Sequence, residues 1–120
     1  MEDCIFCKII NKEIKTEIVY EDQEIFVFKD IHPLAPVHLL IIPKQHIPTI
    51  ADIQEQEVGL MGKMIYRAKL LADQFNLSDR GYKLLLRVKK HGGQEVDHIH
   101  LHLIGGAPLY EDIHALIEEK

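Results

Sequence analysis

The spacing of apolar positions changes several times along the chain. From Cys4 to Asn11 they fall at 5, 6, 9 and 10, a spacing that predicts a short helix. Glu17 to Tyr20 and Ile25 to Lys29 are rich in β-branched and aromatic residues. The polar run Glu21-Asp22-Gln23-Glu24 separates them, which reads as a hairpin. Asp30 to Pro36 holds two prolines and is a loop. Val37 to Ile42 is almost continuously apolar and ends at Pro43, the pattern of a strand buried on both faces.

Asp52, with Glu55 three positions on, resembles a capping box and predicts the start of a helix of about twenty residues. Leu60, Met61, Met64, Ile65, Ala68, Leu71, Ala72 and Phe75 form its apolar face, with the methionines as core filling. After Gly81, the residues Tyr82, Leu84, Leu86 and Val88 alternate with Lys83, Leu85, Arg87 and Lys89, as in a strand. Gly92-Gly93 predicts a turn, and Val96 to Ile104 a further strand closed by Gly105-Gly106. Asp112 to Glu119 has the pattern of a short amphipathic helix. Alternating strand and helix units are absent, so the expected class is α+β, with a mainly antiparallel sheet of about five strands and one long central helix.

At 120 residues, 47% hydrophobic and 28% charged, the expectation is one folded domain over residues 1–120. The formal charge of −5 supplies no electrostatic footprint for nucleic acid or for an anionic membrane. The acidic start and the absence of a long apolar run predict a soluble protein of the reducing cytoplasm. Two cysteines are too few for a disulfide scaffold. Eight histidines are the unusual feature of the composition.

Three of them stand in His98-Ile99-His100-Leu101-His102-Leu103. Strand alternation would put His98, His100 and His102 on one solvent-facing side, about 6.6–6.8 Å apart, and the aliphatic residues on the core side. Imidazole is a nucleophile, a general acid and base near neutrality, and a metal ligand. Just upstream, His91-Gly92-Gly93-Gln94-Glu95-Val96 has two glycines that allow backbone N–H groups near an anion and a glutamine that adds an amide donor. His38 is a fourth imidazole, set in the apolar strand. Together these favour catalysis on a phosphorylated substrate.

The chain resembles the histidine triad family, in particular its Hint branch of small nucleotide hydrolases. The resemblance is carried by His98 to Leu103 with Gly92 to Val96, by Asp30 to His38 with Ile42-Pro43-Lys44-Gln45-His46, and by Cys4-Ile5-Phe6-Cys7-Lys8-Ile9. It implies a purine nucleotide substrate and a reaction in two steps. His100 would be the nucleophile that attacks the α-phosphorus of an AMP derivative such as a purine nucleoside phosphoramidate. His102 would protonate the leaving group, and His38 would contact the phosphate. Gly93, Gln94 and Glu95 would line the phosphate side, Asp30 would accept hydrogen bonds from the ribose hydroxyls, and Phe6, Ile9, Phe28 and Ile31 would hold the base. A third histidine at position 102, where the nucleotidyltransferase branch tends to have glutamine, favours hydrolysis. The chain departs from the family pattern at Arg87, where asparagine is common, and at Glu95, where serine or threonine is frequent. A homodimer with the two sheets joined edge to edge is also implied.

Cys4-x-x-Cys7 is half of a tetrahedral zinc site, with chance thiols as the plain alternative. The resemblance supplies His46 and His98 as the other half. Zinc there would be structural, with none required for the chemistry. Two other functions remain open from sequence: hydrolysis of dinucleoside polyphosphates, and a zinc-stabilised nucleotide-binding or interaction module with little turnover.

Overall fold

A computed structural model describes residues 3–117. The elements are α1 (Ile5–Ile10), β1 (Ile18–Glu21), β2 (Ile25–Lys29), β3 (Val37–Pro43), α2 (Val58–Gln74), β4 (Tyr82–Leu85) and β5 (Leu101–Gly105). The strands form one antiparallel sheet in the order β1-β2-β3-β5-β4, with β3 and β5 central. The class is α+β, as the sequence pattern predicts.

The two faces of the sheet are both covered, and by different helices. Ile25, Val27, Leu39, Ile41, Leu101 and Leu103 pack against Leu60, Met64, Ala68, Leu71 and Ala72 of α2. The alternate residues Phe26, Phe28, Leu40 and Ile42 pack against Phe6 and Ile9 of α1. This double cover explains why β3 reads as an unbroken apolar run. It also sets the site. Leu40 pairs with His102 and His38 with Ile104, so His38 and His102 are diagonal neighbours on the α1 face.

Five local expectations differ from the structure. The long helix begins at Val58, not Asp52. Asp52 instead closes a 3-10 turn by accepting from the Thr49 backbone and hydroxyl, at 3.1 and 2.8 Å. Glu57 accepts from the Gln54 N–H to close a second turn, so two acid-closed turns occupy the segment read as the helix start. Ile65 is 51% exposed, on the outer side of α2. β5 spans only Leu101–Gly105, because the segment before it bends: the His98 N–H donates to the Val96 carbonyl and the Ile99 N–H to the Ile47 carbonyl, both at 2.8 Å. Likewise β4 ends at Leu85. The region read as a C-terminal helix is irregular from 111 to 116, with Ile113 and Leu116 exposed and no core beneath them. Residues 118 and 119 of that expectation lie outside the described residues. No helix among the described residues is long and apolar enough to cross a membrane.

Candidate active site and metal centre

The triad histidines do not face solvent in a row. His98 is fully buried, and His100 and His102 are each 7% exposed. Only His102 lies in the regular strand. The bend before β5 turns His98 toward α1 and leaves His100 against Phe6, whose ring it meets edge-on at 5.1 Å.

Fixed backbone partners assign the proton on each imidazole. A carbonyl only accepts, so His100 Nδ1 donates to the His98 carbonyl at 2.8 Å and its Nε2 keeps a free lone pair. His98 has the opposite arrangement: Nε2 donates to the Pro43 carbonyl at 2.8 Å, which leaves the Nδ1 lone pair for another partner. An amide N–H only donates, so His38 Nδ1 accepts from the Leu34 N–H at 3.1 Å and His38 Nε2 carries the hydrogen. That Nε2 lies 2.9 Å from His102 Nδ1, so His38 donates to His102 and the proton of His102 sits on Nε2. The chain Leu34–His38–His102 thus presents an N–H beside the lone pair of His100. The rings of His100 and His102 are 5.1 Å apart. Sequence reading anticipated the four residues but not Leu34, which acts through its backbone and carries no side-chain signal.

Burial keeps these rings neutral. It pushes His102 down to about 4, with the neighbouring His100, His38 and Arg87 acting the same way. It also lowers His38, against the opposing charge of Asp30, and lowers His100. Below about pH 6.5 the unfolded chain therefore takes up protons at positions 38 and 102 that the folded chain refuses. Their contribution to stability is present above about pH 6.5 and lost as pH falls toward about 4. Melting curves of chelator-treated protein should drop by several degrees between pH 7 and pH 5, and a flat profile would contradict the neutral network.

Asp30 has two roles in place. One oxygen accepts from the His32 N–H at 2.9 Å, an Asx turn, and the other lies 3.4 Å from His38 Nε2. Asp30, His38 and His102 are close enough to suggest a second metal cluster. His38 Nε2 carries a hydrogen, however, and has no lone pair to offer a cation. Phe6, Ile9 and Phe28 are shut into the α1-side core, whereas Ile31 is 75% exposed and stands outside it.

The glycine turn corrects a sequence expectation. The N–H groups of Gly92 and Gln94 donate to the Lys89 carbonyl and that of Gly93 to the Lys90 carbonyl, at 3.0–3.1 Å. They are spent within the turn rather than aimed at an anion. The Gln94 side chain is spent as well: it accepts from the Lys89 N–H and donates to the carbonyls of Pro48 and Val96, at 2.7–2.8 Å. Gln94 is a brace. Gly93 is required by its φ of 79°, and the Arg87 side chain lies beside it, where a Cβ would stand in ordinary contact at 3.4 Å. Glu95 is exposed, and its charge favours the protonated form of His100.

Lys89 sits at φ 60°, ψ −168°, a region that L-residues rarely occupy. Lys89→Gly should relieve that strain and stabilise the fold by about 1 kcal/mol, seen as a rise in melting temperature of roughly 4 °C. A fall in melting temperature would show the backbone to be unstrained there.

The cysteines meet the remaining histidines. Cys4 Sγ is 3.4 Å from His98 Nδ1, and Cys7 Sγ is 3.4 Å from His46 Nδ1 and 3.8 Å from His98 Nδ1. All four ligand atoms lie within 4.8 Å of one another. Zinc bond lengths of about 2.3 Å to sulfur and about 2.0–2.1 Å to nitrogen give tetrahedral edges of about 3.4–3.8 Å. The His98 tautomer leaves its lone pair on the metal side, and the Pro43 carbonyl orients the ring from behind. The donor set fits zinc. With no cation, burial and the adjoining Cys4 push the Cys7 thiol up to about 11, the reverse of a reactive redox pair.

This fold is that of known proteins. The family model described as "Scavenger mRNA decapping enzyme C-term binding" matches residues 3–111. The chain is 47% identical over 108 residues to the purine nucleoside phosphoramidase of Escherichia coli strain K12, covering 90% of this chain and 91% of that protein. It is 43% identical over 106 residues to a 14 kDa zinc-binding protein of Brassica juncea, covering 87% and 93%. A crystal structure of a HIT family hydrolase from Legionella pneumophila Philadelphia 1 superposes with a TM-score of 0.88 at 50% identity, covering 90% of this chain and 96% of that one. The chain belongs to the histidine triad family, and within it to the group of small hydrolases related to nucleoside phosphoramidase.

Proposed function

We propose that the protein hydrolyses AMP derivatives at the α-phosphorus, purine nucleoside phosphoramidates among them, through a covalent nucleotidyl-His100 intermediate. The observation that carries this reading is the pair of opposite tautomers, a free Nε2 lone pair on His100 beside an Nε2–H on His102. The similarity to the Escherichia coli phosphoramidase supports the substrate class.

In the first step the His100 Nε2 lone pair bonds to the α-phosphorus and the P–N bond to the amine breaks. The amine leaves with that electron pair and takes the proton of His102 Nε2. The Nδ1–H of His100, held by the His98 carbonyl, then carries positive charge, which offsets the proton lost at His102. In the second step a water oxygen bonds to phosphorus and the bond to His100 breaks. The water's proton returns to His102, and AMP departs. His38 holds His102 in the required tautomer, and Asp30 offers carboxylate oxygens to the ribose at the edge of the same network.

We also propose that Cys4, Cys7, His46 and His98 hold a structural zinc, whose chemistry is to tie α1, the loop after β3 and the bend before β5 together. A homodimer is supported by the edge position of β4, where the apolar side chain of Leu84 is exposed.

The test is to mix the protein with an adenosine phosphoramidate, follow AMP release, and search acid-labile adducts for an adenylyl group on the peptide bearing His100. Release with an adduct there is the expected result. Turnover without any adduct at position 100 would overturn the covalent route, and no turnover would overturn the hydrolase reading.

A further inference from the structure

Arg87 belongs to no regular element, yet its Nη1 stands 3.4 Å from His102 Nε2. A guanidinium has only donors. The Leu34–His38–His102 chain has already placed a hydrogen on His102 Nε2. Two donors therefore converge on one space, an arrangement that is satisfied only when an acceptor, preferably an anion, lies between them. Among the described residues no carboxylate forms an ion pair with Arg87.

The arm is held in place. Its Cδ and Nε lie against Gly93, where a Cβ would stand 3.4 and 3.7 Å from them. The turn behind it is locked by Gln94 onto the strained Lys89. The positive charge of Arg87 bears on His38, His100 and His102 alike, which puts it at the centre of the site.

We propose that Arg87 and the His102 Nε2–H form a two-donor clamp for an anionic oxygen on the leaving group, which makes Arg87 a specificity-determining residue for AMP joined through an anhydride bond to a phosphate. This rests on the triad reading above. The two kinds of leaving group make different demands. An amine must be protonated as it departs, and a guanidinium does not surrender a proton. A phosphate keeps the electron pair of the broken P–O bond as an oxyanion and needs positive charge instead. With the anhydride, His100 Nε2 bonds to the α-phosphorus, the P–O bond breaks, and the phosphate leaves paired with Arg87 while His102 retains its hydrogen. Water then frees AMP from His100 and releases one proton to solvent.

The experiment compares kcat/KM for a diadenosine polyphosphate and for an adenosine phosphoramidate in the wild type, Arg87→Gln and Arg87→Lys. Glutamine keeps much of the packing on Gly93 and loses the charge. Arg87→Gln should lower kcat/KM for the polyphosphate about 10–100-fold more than for the phosphoramidate, with lysine intermediate. Equal losses on both substrates, or a wild type that cleaves the phosphoramidate and not the polyphosphate, would overturn the clamp. A wild type inert toward both substrates would overturn the triad reading, and the clamp with it. Melting curves of each variant separate these outcomes from misfolding.

Discussion

His100→Asn is expected to lower AMP release from an adenosine phosphoramidate by about 10⁴-fold or more while the protein stays folded. The asparagine amide can still donate to the His98 carbonyl, the one hydrogen bond this side chain makes to the backbone. What it lacks is the Nε2 lone pair. His100→Ala should be as inactive and less stable, because it also leaves the His98 carbonyl without its donor and removes the ring that packs against Phe6. The loss should appear in kcat, since an interaction made only during bond formation is removed. Near-wild-type AMP release from a folded His100→Asn protein would remove this residue from the chemistry.

The second large effect is on stability. Removing the metal with a chelator should lower the melting temperature by about 10 °C or more, because binding at a structural zinc site is itself folding free energy. Three segments lose their tie at once: α1 at Cys4 and Cys7, the loop after β3 at His46 and the bend before β5 at His98. Replacing Cys4 and Cys7 together with serine should give a protein with the lower melting temperature and no response to chelator. The adjoining bend also holds His100 through the His98 carbonyl, so the double variant should lose some kcat in addition to stability. Metal analysis of untagged protein gives the direct check. Well under one zinc per chain, with a melting curve indifferent to chelator, would return the cysteines to unligated thiols.

Much of the molecule was legible from residue pattern alone. The hairpin of β1 and β2, the buried run of β3, the apolar face of α2 and the α+β class follow from hydrophobic period, because burying one face of a helix or both faces of a central strand leaves a regular trace. The histidines, the cysteine pair and Arg87 were conspicuous as residue types. Their roles were less so. A strand reading of 96–104 put three imidazoles on one wet face, whereas bonds from Ile99 to Ile47 and from His98 to Pro43 bend the segment and separate His98 from the others. Gln94 and the glycine turn read as an anion cradle until their donors were found bonded to nearby carbonyls. Sequence determined which imidazoles and thiols the chain possesses and the layers that bury them. Only the tertiary structure decided which nitrogen of each ring carries the proton, because that is set by a backbone carbonyl or amide whose identity leaves no mark on side-chain pattern.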